Sequence, residues 1–139
     1  AGQSCIVRQG YVPQLPSRRV GSVRHGGTWF DVGTPAAYLQ ANLLAVEGKL
    51  PLPLDPFSRA SRRDYGEALQ GAVWIGEGAV LEPGCKVGPR AIIGAGATIE
   101  RGATVRDSVV WDGCRVAAGA TLSGAIVYDL GTHMPGTDS

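Results

Sequence analysis

The chain has 139 residues, 13 of them basic and 12 acidic, for a formal charge of +1, with 21 glycines and three cysteines. That length supports one modest core and no second complete domain, and a near-balanced charge without a basic run argues against nucleic acid or an anionic membrane as partner. No apolar stretch approaches the roughly 20 residues of a membrane-spanning helix, no leader-like segment opens the chain, and Cys5, Cys85 and Cys114 form no C-x-x-C pair; reduced thiols in the cytoplasm are expected, not a disulfide framework or a zinc site.

In chain order, Val20 to Val23 suits a strand, and His25 before Gly26-Gly27 suits a solvated loop. Thr34-Pro35 is a helix start, with Thr34 as N-cap and Pro35 at the first helical position, where its missing N–H costs nothing. Leu39, Leu43 and Val46 share one face of the resulting helix, and Gly48 ends it, giving a helix over 34–48.

The run WFDVGTPAAYLQAN, from Trp29 to Asn42, resembles the W-x-D-x-G-T-P…Y-L-x-A-N signature of sugar-1-phosphate nucleotidyltransferases. That family includes mannose-1-phosphate guanylyltransferase and glucose-1-phosphate thymidylyltransferase. The resemblance implies that residues 1–33 are the end of a catalytic domain, that Asp31 binds Mg²⁺ in an intact parent enzyme, and that the parent takes a nucleoside triphosphate and a sugar 1-phosphate. A carboxylate beside phosphates needs a hard cation between them, and Mg²⁺ takes one or two carboxylates plus phosphate oxygens. The family's glycine-rich nucleotide loop has no counterpart in the sequence, so the chain alone is expected to be inactive and to hold no cofactor.

Residues 49–70 carry Pro51, Pro53 and Pro56 and the basic set Arg59, Arg62 and Arg63. They read as an extended linker with solvated arginines.

From 71 to 130 the texture is periodic. Aliphatic residues fall at Ile75, Leu81, Val87, Ile93, Ile99 and Val105, and then at Val110, Val116, Leu122 and Val127. Glycine recurs three residues after most of them (Gly78, Gly84, Gly96, Gly102, Gly113, Gly119), and small residues follow at Ala79, Cys85, Ala91, Ala97, Ala103, Cys114 and Ala120. A six-residue unit is one short strand and a turn, and three units close a triangular coil in which each aliphatic points inward above its counterpart one coil below. The fold class expected is therefore mainly β, a parallel β-helix of about three coils preceded by a short αβ remnant with one helix, and followed by a tail over 131–139. Hexapeptide repeats resemble the left-handed family of such helices, and the handedness rests on that resemblance.

The step shortens to five between Val105 and Val110 and again between Leu122 and Val127, where TVRDSVVWD and TLSGAIVYD align. This places Trp111 above Tyr128, both outward, and Trp74 joins the same aromatic surface as an interface candidate. Two covers are open for it: the C-terminal tail, or a subunit or interdomain contact, with the contact slightly favoured.

Left-handed β-helices also carry acyltransferases and carbonic anhydrases, both dependent on histidine from the coils. Residues 71–130 contain none; His25 and His133 lie outside. Two functional classes remain: the C-terminal portion of an enzyme forming a nucleoside-diphosphate sugar and pyrophosphate, with this portion serving oligomerisation or regulation, or a stand-alone non-catalytic assembly module. A homo-oligomer through the β-helix is expected in either.

Overall fold

The computed structural model describes residues 4–17, 19–50, 52, 66–129 and 131–133. Its centre is a parallel β-solenoid of three faces. One face runs β1 (Val73–Ile75), β4 (Ala91–Ile93), β7 (Ser108–Val110) and β10 (Ile126–Tyr128), ending on β11 (Gly131–His133). The second is β2 (Val80–Leu81), β5 (Thr98–Ile99) and β8 (Arg115–Val116); the third is β3 (Lys86–Val87), β6 (Thr104–Arg106) and β9 (Thr121–Ser123).

The expected aliphatic columns stack in register: Ile75 on Ile93, Val110 and Val127; Leu81 on Ile99 and Val116; Val87 on Val105 and Leu122. Eight of the ten are buried, and Val87, Ile93, Ile99, Val105 and Val110 are 0% exposed. Each contributes about 1.5–3 kcal/mol of apolar burial. Alanines and Cys85 and Cys114 fill the corners beside them.

Two boundaries differ from the sequence reading. The inward column starts at Leu69, which bridges Val87 and packs half-buried on the core, so the solenoid begins inside what reads as linker. Leu69 stands six before Ile75, but its companions Gly71 and Ala72 come one position early, and the three-column signal fails there. Val20 to Val23, expected as a strand, carries no regular structure, and Val23 is 96% exposed; among the described residues no strand pairs with it. Of the linker, Pro51, Pro53, Pro56, Arg59, Arg62 and Arg63 lie outside the described residues.

The five-residue steps have a local cause. From the inward aliphatic of the third face to the first inward residue of the first, Val87 and Ala91 are separated by Gly88, Pro89 and Arg90, Val105 and Ser108 only by Arg106 and Asp107, and Leu122 and Ala125 by Ser123 and Gly124. Arg90 and Asp107 take the left-handed conformation that glycine holds at other corners, with φ of 53° and 49°. They are joined across coils, the Arg90 guanidinium Nε donating to Asp107 Oδ1 at 2.6 Å. Ser108, the first inward residue after the shortened corner, is fully buried yet satisfied: its Oγ donates to the Arg106 carbonyl at 2.6 Å and accepts from the Ala125 amide at 3.0 Å.

Helix α1 (Pro35–Val46) forms where expected. Thr34 Oγ1 accepts from the Ala37 amide at 3.1 Å, Pro35 opens the first turn, and Gly48 follows the end with φ of 69°. The helix lies on the outer side of the first face. Strands alternate inward and outward side chains, so Ile92, Val109 and Ile126 point away from the solenoid core, and there Leu39 and Leu43 bury them. The doubled aliphatics Ile92-Ile93, Val109-Val110 and Ile126-Val127 thus mark a face that is covered on both sides.

No helix among the described residues is long and apolar enough to cross a membrane.

Candidate functional site

The residues singled out for function converge on the seam between α1 and the solenoid. Trp111 follows Val110, and Tyr128 follows Val127 one coil later, so both project outward in adjacent layers; their ring centroids lie 5.9 Å apart, tilted by 54°. A third ring comes from the helix. Tyr38 meets Trp111 edge-on, centroids 6.2 Å apart at 67°, and its hydroxyl accepts from Trp111 Nε1 at 3.1 Å. Tyr38 was not foreseen as a partner because the two residues are 73 apart in sequence. Its place on α1 one turn after the N-cap, beside Leu39, was the available signal.

Trp74 lies on the same face and lines one groove with Tyr38 and Trp111. It aligns with Ile92, two positions from the Trp111 column, and is half-buried in the apolar cluster under α1. Glycines occupy the earlier coils of the Trp111 column: one residue beyond the paired strands, the same register sets Gly94 level with Trp111 and Gly76 level with Gly94. There a β-carbon would strike backbone, at 2.5 Å from the Ala95 amide nitrogen for Gly76. These two glycines therefore answer to close approach of the next coil, whereas Gly78 and Gly96 answer to positive φ.

The cover over the aromatic surface is α1 itself, with Trp111 still 46% exposed. Residues of the tail instead form β11, which pairs antiparallel with β10 and closes the end of that sheet.

A cavity of about 330 Å³ lies at the seam, lined by Val32, Gly33, Thr34 and Pro35 together with Tyr38, Trp111, Ile126 and Tyr128. Asp31 stands at its approach, exposed, its carboxylate oxygen 3.4 Å from where a β-carbon on Gly33 would lie. Among the described residues no group of three or more His, Cys, Asp or Glu gathers to hold a metal. Asp31 thus brings one carboxylate.

Cys85 and Cys114 are buried, and burial pushes both thiols up from their ordinary range; for Cys114 the neighbouring Asp129 charge adds to it. A raised thiol is a poor thiolate source at neutral pH, which fits packing residues and not nucleophiles.

Comparison with known proteins locates this arrangement. A family model described as the GMPPB C-terminal domain matches residues 69–131, starting at the Leu69 bridge. The chain is 34% identical over 128 residues to glucose-1-phosphate adenylyltransferase of Rhodopirellula baltica, covering 77% of this chain and 27% of that protein. It is 32% identical over 94 residues to mannose-1-phosphate guanylyltransferase of Mycobacterium tuberculosis, covering 68% and 23%. To a probable mannose-1-phosphate guanyltransferase of Schizosaccharomyces pombe it is 29% identical over 104 residues, covering 71% and 23%. The chain spans about a quarter of the length of these curated relatives. No solved structure matches it.

Proposed function

Because this chain is a C-terminal region of the sugar-1-phosphate nucleotidyltransferase family, we propose that it serves an enzyme that forms a nucleoside-diphosphate sugar and pyrophosphate from a nucleoside triphosphate and a sugar 1-phosphate in the cytoplasm. Its own part is assembly or regulation. The observation that carries this reading is the docking of α1, the second half of the signature, onto the apolar outer face of the solenoid. It ties the end of a catalytic signature to a module with no histidine in its coils. Ile6, Val7, Tyr11, Trp29 and Val32 add support, since they stand exposed before α1 as the kind of apolar surface a neighbouring domain covers.

On this reading Asp31 supplies one carboxylate to Mg²⁺, the other oxygens coming from the substrates and from residues elsewhere in the polypeptide. The ion, when bound, neutralises phosphate charge. Asp31 in this chain stays exposed, three residues before Thr34, which caps α1.

The polypeptide carrying this chain, with whatever sequence precedes it, is expected to release pyrophosphate from a nucleoside triphosphate and a hexose 1-phosphate. Asp31→Asn is expected to slow that release on the order of a hundredfold or more, since a bound cation is worth several kcal/mol to the transition state. Failure of every purine and pyrimidine triphosphate with every common hexose 1-phosphate would remove the enzyme reading. The reading as an assembly module is favoured by the exposed part of Trp111; it requires a light-scattering mass above one chain that falls in Trp111→Ser.

A further inference from the structure

We propose that Trp111 is a positioning residue for the turn that carries Asp31, acting through Tyr38. This rests on the reading of Asp31 given above as to why the turn matters, but the coupling itself is a matter of geometry.

The links are short and continuous. Trp111 Nε1 donates to the Tyr38 hydroxyl at 3.1 Å, and the two rings meet edge-on. The Tyr38 amide donates to the Thr34 carbonyl at 2.9 Å, and Thr34 Oγ1 accepts from Ala37 at 3.1 Å. Thr34 follows Gly33, over which the Asp31 carboxylate leans. The path from the solenoid towards Asp31 therefore passes through one side-chain bond, one closed helical turn and the irregular stretch from Asp31 to Gly33.

Placement along the solenoid supports the same assignment. In the column of Trp111 the earlier coils hold Gly76 and Gly94, and only the later ones hold Trp111 and Tyr128. Those two rings line the same cavity as Val32 to Pro35. Aromatic bulk thus occurs where the turn lies. The buried anchors of α1, Leu39 and Leu43, follow Tyr38 along the helix, and Tyr38 is itself partly buried against the same cluster. An aromatic edge contact and an exposed hydrogen bond are modest interactions. They suffice to decide whether a helix N-terminus frays.

Hydrogen exchange on the 139-residue chain tests this. Trp111→Ala is expected to speed exchange of the amides from Ala37 to Leu39 about tenfold, while solenoid amides such as Gly94 and Thr98 keep their wild-type rates. Tyr38→Phe, which loses the bond and keeps the ring, is expected to show about a third of that effect, and Trp111→Phe to restore part of the protection. Wild-type exchange at Ala37 to Leu39 in Trp111→Ala, with the solenoid protected, overturns the proposal. So does a uniform acceleration of all amides, which would make Trp111 a fold residue only. Failure of the Asp31 reading is seen separately: Asp31→Asn would leave pyrophosphate release intact while the exchange effect of Trp111→Ala persisted, and positioning would stand.

Discussion

Ile93→Ala is expected to lower the free energy of unfolding by about 2–5 kcal/mol, measured by urea denaturation followed by far-ultraviolet circular dichroism. Ile93 is wholly buried, with Ile75 stacked below it and Val110 above. Removing its side chain leaves a void in the middle of a column that cannot close. Each coil is held to the next by backbone bonds such as Gly94 N to the Val110 carbonyl at 2.7 Å, so neighbouring layers have little freedom to collapse inward. Against a typical domain stability of about 5–15 kcal/mol this is a large fraction. Leu122→Ala, at the half-buried end of another column, should cost clearly less. Equal losses at the two positions would mean that the solenoid does not melt as stacked layers of graded burial.

Gly94→Ala is expected to be nearly as damaging, about 3 kcal/mol, although it adds one methyl group. Its β-carbon would lie 2.4 Å from the Asp112 amide nitrogen and 2.6 Å from the Trp111 carbonyl carbon. Both are backbone atoms of the next coil, and relief means prising coils apart. Gly96→Ala, two residues on, meets nothing within 4 Å and costs only the left-handed backbone penalty at φ of 64°, roughly 1–2 kcal/mol. Thermal midpoints of the two variants should therefore differ by several degrees. A Gly94→Ala protein as stable as Gly96→Ala would show that the coil spacing relaxes at that corner.

The solenoid was legible because its chemistry repeats: ten aliphatics at steps of six and five all point where the period requires. The cap of α1 was legible too, since Thr34 and Pro35 act locally. The site was less so. Trp111 over Tyr128 followed from the aligned shortened steps, but Tyr38 meets Trp111 only through tertiary docking, which no local spacing encodes. Trp74 was grouped with Trp111 on outwardness, and although register sets it two positions from that column, both line one groove with Tyr38. Doubled aliphatics such as Val109-Val110 were the readable clue that a helix covers this face. The expected strand at Val20 to Val23 failed because β propensity without a neighbouring edge makes no ladder.

The corner joined by Arg90 and Asp107 has a consequence for how such a molecule tolerates change. Three residues span it in one coil and two in the coil above, yet Val87 still pairs with Val105, and Ile93 with Val110. Register on each face is set by the strand beneath and not by the length of chain between faces. That edge of the prism is therefore where the chain can gain or lose residues, or accept a grafted loop, without moving any side chain across the pleat.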